Sequence, residues 1–264
     1  MAIQTKTVQE IRLMREAGRI VARAHEAMRE KIRPGMNTLE FDKIAMRVFE
    51  QHKAFPAFLG YPYGSKHPFP ASVTVSINDE LVHGIPSKDR ILHEGDIVSL
   101  DTGCIYQGFV GDAAYSYGVG SITPEAQQLL EVTEAALMEA IRASVVGHDV
   151  SHVAKAIQHH AESNGYNVVR GYTGHGVGRK MHEDPQVPCW WPSPNRRQRM
   201  KSTKAALLKP GMTIAIEPMI IAGHPATRVL DDHWTVVIAD GSLCAHFEHS
   251  IAITEGEPEI LTLL

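Results

Sequence analysis

Four acidic residues stand in runs otherwise built from Val, Ile, Leu and Ala. Asp101 closes ILHEGDIVSLD (91–101), Asp112 interrupts GFVGDAAYSYGV (108–119), Glu217 ends the run in ALLKPGMTIAIEP (206–218), and Glu248 interrupts AHFEHSIAIT (245–254). A carboxylate in a buried strand must be paired, protonated or bound to a metal. For one such acid, a salt bridge or an outward-facing strand position explains it equally well, because alternate strand residues face solvent. Four together weaken that explanation. The strand-like cores IVSLD, FVGDAAYS, MTIAIE and FEHSIAI hold no Lys or Arg, so divalent cations are the natural counter-charges. One catalytic zinc uses three protein ligands, whereas two metals bridged by carboxylates employ all four acids. An oxygen-rich set with one imidazole suits Mn, Fe, Co or Zn and does not choose among them.

The imidazole is sought in GYTGHGVGRKMHEDP (171–185). Its glycines suggest a phosphate loop, but G-x-G-x-G lacks the G-x-G-x-x-G frame, and Pro185 and Pro188 follow where a long helix should begin. Glycines on both sides of His175 instead remove side chains that would crowd a ligand, which predicts a presented histidine on backbone that approaches a site closely. Two further histidines stand out of the 15 in the chain. His83 lies in NDELVHGIPSKD and His182 in RKMHEDP, so each half supplies one near the same place in its pattern. His159, His160 and His224 read as surface or core residues.

The elements that must position these groups occur twice. Helical periodicity over 8–32 is matched over 124–144. PGMNTLEFDKIAMRVFEQHKAFPAFLGY (34–61) is matched by VGHDVSHVAKAIQHHAESNGYNVVRGY (146–172), about 112 residues further on, each a turn, a polar cap, an amphipathic helix and an extended piece. The strand-like runs then pair Asp101 with Glu217 and Asp112 with Glu248. This predicts an α+β fold with a pseudo-twofold repeat: one catalytic domain over 1–264, with halves of roughly 8–120 and 124–254 and helices outside antiparallel sheets that meet at the acids.

Composition sets outer limits. A formal net charge of −4 gives no basic excess for steering the whole molecule onto nucleic acid. Cys104, Cys189 and Cys244 form no C-x-x-C pair, so neither a disulfide framework nor a thiolate zinc site is indicated. No apolar run reaches the ~18 residues of a membrane span, and MAIQTKTVQEIRLM lacks a signal peptide's apolar stretch. A cytoplasmic protein without a membrane partner is expected.

Five motifs carry a family resemblance across nearly the whole chain: SVTVSINDELVHGIP (72–86), GDIVSLDTGCIYQGFVGD (95–112), GYTGHGVGRKMHEDPQV (171–187), LKPGMTIAIEPM (208–219) and FEHSIAIT (247–254). Together they resemble the type I methionine aminopeptidases, metallopeptidases of the pita-bread fold. The resemblance implies Asp101, Asp112, His175, Glu217 and Glu248 as ligands of a dinuclear metal site, with Asp112 and Glu248 bridging, Asp101 on one metal, and His175 and Glu217 on the other. It implies Glu217 as proton shuttle, His182 as a stabiliser of the oxyanion, and His83 as a contact to substrate near the scissile amide. Tyr61, Tyr63, Met181 and Trp234 match places near the family's methionine pocket. The implied substrate is the N-terminus of a peptide or nascent chain with a small second residue, and the implied enzyme is a monomer.

Departures from the family pattern touch the pocket. The link PYGSKHPFPAS after Tyr61 is longer than usual, and Met181 replaces a common aromatic. Ala113 stands where a threonine often follows the metal aspartate. PCWWPSPNRRQRMKSTK (188–204) is expanded, with five basic residues, and reads either as a solvated loop or as a contact with ribosomal RNA. Two rivals share the fold. A proline-specific aminopeptidase would use the same ligands behind an extra N-terminal domain, for which a first helix near Val8 leaves no place. A non-catalytic binding relative would have lost ligands, and all five are present.

Overall fold

The structure, a computed structural model, describes residues 3–192 and 205–264. Chain order begins with helices α1 (Val8–Arg29) and α2 (Leu39–Gln51), then strands β1 (Phe55–Pro56), β2 (Val73–Ile77), β3 (Glu80–Val82), β4 (Ile97–Tyr106) and β5 (Phe109–Gly118). It resumes with α3 (Pro124–Arg142) and α4 (Val150–Ser163), then β6 (Asn167–Val168), β7 (Thr173–Gly176), β8 (Glu183–Pro188), β9 (Thr213–Ile216) and β10 (Met219–Ile221). The remaining strands are β11 (Thr227–Val229), β12 (Val236–Ile238), β13 (Cys244–His246), β14 (Glu248–Ala252) and β15 (Glu259–Ile260).

Local sequence sets the helix starts. Thr7 accepts from the Glu10 N–H and Glu10 accepts from the Thr7 N–H, the reciprocal box that T-x-x-E encodes at the head of α1. Thr123 caps α3 with Pro124 in its first turn, and Asp149 accepts from the Ser151 N–H to open α4. The Thr38 hydroxyl at the head of α2 instead donates to the Ser87 carbonyl.

A nine-stranded antiparallel sheet forms the centre, in the order β1-β4-β5-β14-β9-β7-β8, with β2 also on β4 and β15 also on β14. The pairing of β5 with β14 joins the strands that precede α3 to those that follow α4. Helices α1 and α2 pack with β2 and β4 around Phe41, Phe49 and Leu100, while α3 and α4 pack around Leu129, Leu137, Ile157 and Ile214. A third apolar cluster joins Phe58, Phe69, Phe109, Val177 and Met181.

One expected strand is broken, and another run stops at its carboxylate. AHFEHSIAIT divides at Phe247 into β13 and β14, and TIAIEPMII divides at Glu217–Pro218 into β9 and β10. In each case the chain passes between the nine-stranded sheet and a three-stranded one, β13-β10-β6, leaving the larger sheet after β9 and entering it after β13. Proline supplies no N–H to a ladder, and the Pro218 carbonyl accepts from the Phe247 N–H, which ties the two breaks together. Among the described residues no helix is long and apolar enough to cross a membrane. The five basic residues of 188–204 lie outside the described residues, and with them the expected ribosome contact.

Candidate metal centre and pocket

Strand register gathers the acids. Directly opposed residues of an antiparallel pair share a face, as do residues two apart on one strand. Ala114 on β5 opposes Asp101 on one side and Glu248 on the other, and Asp112 lies two residues away on the same strand. Ala215 on β9 opposes His175 and Ser250, with Glu217 two residues beyond it and Glu248 two residues before Ser250. All five expected ligands therefore fall on one face, around the short side chains of Ala114 and Ala215. His175 Nε2 stands 3.7 Å from both Asp112 Oδ2 and Glu217 Oε1. Ligand atoms of Asp112, His175 and Glu248 lie within 4.8 Å of one another, a group that could hold a metal ion.

The electrostatics of this cluster demand a counter-charge. Asp112 and Glu248 are 2% exposed and Asp101 is 9% exposed. Among the described residues none of the four acids pairs with Lys or Arg, and Glu217 meets only His175 and His246. Burial pushes the Asp112 carboxyl up to about 8. Burial and the neighbouring acids raise Asp101, Glu217 and Glu248 well above the usual carboxylate range. Asp101 Oδ1, Asp112 Oδ1 and Glu248 Oε1 are buried without a hydrogen-bond partner. Burial holds His175 down at about 3, so its ring is neutral. Its Nδ1–H donates to the Gly176 carbonyl at 2.9 Å, which turns the Nε2 lone pair toward the acids. Orphaned carboxylate oxygens beside a free imidazole lone pair fit divalent metal ions.

The flanking glycines act differently from expectation. A Cβ on Gly174 would lie 2.4 Å from the Ala215 carbonyl oxygen, and one on Gly176 would lie 2.3 Å from that of Asp184. They admit neighbouring backbone, which draws β7 against β9 and β8; they do not clear space for a ligand.

Over the acids lies a pocket whose lining includes Tyr61, His83, Met181, His182 and Trp234. His182 Nδ1 is 2.6 Å from the Tyr61 hydroxyl, and its ring meets that of His175 edge-on at 4.3 Å. His83, in a left-handed conformation (φ 62°), meets Trp234 edge-on at 5.8 Å, and burial lowers its pKa to about 4. Tyr63 stands apart from its expected place: it is 71% exposed, outside the lining, and touches Tyr61 from the solvent side. Phe58, Phe69 and Thr74 complete the walls and went unnoticed in the sequence. Thr74 had a signal, since it opposes Asp101 in register and is a polar residue in the apolar alternation of VTVSI. The two phenylalanines lie in irregular chain, where no periodicity marks a face.

The sequence profile of metallopeptidase family M24 matches residues 12–255, and the chain belongs to that family. It is 48% identical to methionine aminopeptidase 1 of Bacillus subtilis (strain 168) over 257 residues, 97% of this chain and 98% of that protein. To the methionine aminopeptidase of Escherichia coli (strain K12) it is 41% identical over 265 residues, 100% of this chain and 95% of the other. The crystal structure of methionine aminopeptidase from Thermotoga maritima superposes with a TM-score of 0.92 at 41% identity, each chain covered in full. The prolidase from Pyrococcus furiosus shares the fold alone, with a TM-score of 0.76 at 22% identity over 98% of this chain and 65% of that one. The fold is thus the pita-bread fold, with helices packed on antiparallel sheet.

Proposed function

We propose that the chain is a methionine aminopeptidase, hydrolysing the first peptide bond of peptides and nascent proteins that begin with methionine and favouring a small second residue. The observation that carries this reading is the juxtaposition of uncompensated acids with an apolar wall of Phe58, Tyr61, Phe69, Met181 and Trp234 in one pocket. Similarity to full-length methionine aminopeptidases supports it. Asp101, Asp112, His175, Glu217 and Glu248 would hold two divalent ions, of Co, Mn, Fe or Zn. When bound, such ions acidify a water molecule and polarise a carbonyl.

The chain's own groups supply the rest. Glu217, whose side chain keeps 14% of its surface exposed, takes the proton of the attacking water and passes it to the leaving amine. Burial keeps the Tyr61 phenol protonated, so it donates to His182 Nδ1 and leaves the ring N–H on Nε2 for the substrate's carbonyl oxygen, where negative charge develops. His83 contacts the scissile amide. The apolar wall receives the methionine side chain, each methylene being worth about 1–3 kcal/mol in such a pocket.

On the same reading, 1–264 is one catalytic domain of two alike halves, roughly 8–120 and 124–254, and the enzyme is cytoplasmic and monomeric. The basic residues of 188–204 would touch the ribosome. The test uses protein stripped of metal, each divalent ion added back in turn, and the peptides Met-Ala-Ser, Leu-Ala-Ser and Ala-Pro-Ala. Metal-dependent cleavage of Met-Ala-Ser above the other two is expected; cleavage of Ala-Pro-Ala alone would assign a proline-specific enzyme.

A further inference from the structure

Loop 177–182 between β7 and β8 carries Met181 and His182 into the pocket. It is short, and most of what holds it comes from elsewhere in the chain. The Gly178 carbonyl accepts from the Val110 N–H at 2.8 Å, and the Val177 N–H donates to the Thr213 carbonyl at 3.1 Å. The third tether is a charge pair across 177 residues: Lys6 Nζ donates to Glu183 Oε2 at 2.6 Å. The side chains of this pair are only 6% and 11% exposed. Glu183 immediately follows His182, and its other oxygen, Oε1, accepts from the Lys180 N–H at 3.1 Å. One carboxylate therefore fixes the loop from within and fastens it to the segment ahead of α1.

Two glycines make room for that segment. A Cβ on Gly178 would lie 2.5 Å from Lys6 Cε and 2.7 Å from Glu183 Oε1. At Gly211 (φ +83°) a Cβ would lie 2.8 Å from the Lys6 carbonyl oxygen, and the Lys6 N–H donates to the Gly211 carbonyl at 2.7 Å. The glycine in VGRK and the glycine in KPGM thus face the same lysine. A second ion pair runs from the loop's own Arg179 to Glu10 at 3.2 Å, but Arg179 is 61% exposed, and an exposed pair contributes little. A largely buried pair differs, because removing either member leaves an uncompensated charge out of water.

We infer that Lys6 is a positioning residue for substrate binding, acting through Glu183 to set Met181 and His182 in the pocket. This rests on the reading that the pocket receives an N-terminal methionine. A misplacement of about 1 Å costs up to about a hundredfold in rate, and here it falls on groups that touch substrate, not on the acids. Lys6→Met keeps the aliphatic stem and removes the charge.

The experiment compares Lys6→Met, Glu183→Gln, the conservative Lys6→Arg and the exchanged pair Lys6→Glu/Glu183→Lys in metal-loaded enzyme. Lys6→Met and Glu183→Gln should each lower kcat/KM for Met-Ala-Ser by about tenfold, raising KM as Met181 shifts and lowering kcat as His182 shifts, with metal content unchanged. Lys6→Arg should stay within about twofold of the parent, and the exchanged pair, which restores the ion pair but leaves the Lys180 N–H without its acceptor, should recover only part of the loss. In parallel, the ring nitrogen NMR shifts of His182 should move in Lys6→Met and return in Lys6→Arg. Should Lys6→Met fail to fold, Glu183→Gln carries the same comparison. An unchanged kcat/KM and an unmoved His182 signal would overturn the inference, as would a loss that follows metal content. If the parent enzyme leaves Met-Ala-Ser uncut, the functional reading fails, while the His182 signal still decides whether Lys6 positions the loop.

Discussion

The two faces of the central sheet bury titratable groups by opposite means. On one, Asp101, Asp112 and Glu248 each keep a carboxylate oxygen without a partner. On the other, one residue along each strand, His249 opposes Ala113, and the carbonyl of Ala113 accepts from His25 Nε2 at 2.8 Å. His249 Nδ1 lies 2.7 Å from the Thr262 hydroxyl. Burial lowers both imidazoles to about 4, so at neutral pH they carry no charge. An imidazole meets burial by shedding a proton, whereas clustered carboxylates must gain protons or a cation. A register shift of one residue would exchange the two faces, so the pairing of β14 with β5 separates a face built for chemistry from one built for stability.

The largest break of this contrast comes from the acid face. Asp112→Asn or Glu248→Gln should lower kcat at least a thousandfold, about 4 kcal/mol of barrier. In metal-free protein the same change should raise the melting temperature, because it relieves crowded negative charge. The pH dependence gives the sign: folded-state pKa values above the unfolded ones mean the folded state holds protons more tightly. In metal-free protein the acid cluster should therefore contribute stability that grows as pH falls from about 8 toward 4, so Asp112→Asn should lose that contribution relative to the parent. Full metal content and full rate in Asp112→Asn would remove this acid from the metal centre.

The histidine face should respond in the opposite direction. Folded-state pKa values near 4 mean that between about 6.5 and 4 the unfolded chain binds the extra proton, so stability falls as pH falls through that window. Each ring contributes up to about 3 kcal/mol of that loss. Denaturant titrations of metal-loaded His25→Gln and His249→Asn at pH 7 and pH 4.5 should show a smaller difference than the parent does. An undiminished difference would place the acid sensitivity elsewhere.

The smallest effect sharpens the boundary of the acid face. His83→Ala should lower turnover about tenfold, about 1.4 kcal/mol, while elemental analysis finds the metals retained. Loss of metal in this variant would move His83 from the substrate to the ligand set.

The four acids of that face were legible in sequence because a charge within an apolar strand has few physical explanations, and because the strand-like runs recur in the same order in both halves; His175 stood out through its flanking glycines and the family resemblance. The walls of the pocket were harder to read. Phe58 and Phe69 sit in irregular chain, and Tyr63, two residues from Tyr61, turns to solvent. The break after β13 was hidden because Phe247 keeps the run apolar as the chain passes between sheets, whereas Glu217 and Pro218 mark the one after β9. His25 and His249 carried no signal of their own, since a helical histidine and a strand histidine look alike until register assigns them a face.

Strand β14 lies between β5 and β9, near the middle of the nine-stranded sheet, yet it is the last but one in sequence. A ribosome delivers Asp101, Asp112, His175 and Glu217 well before Glu248, and until that strand arrives the two parts of the sheet have no edge in common. The piece that closes the sheet is also the piece that completes the acid cluster. A nascent copy of this protein thus lacks the strand between β5 and β9 until synthesis has passed Ala252, and only then can the cluster be completed.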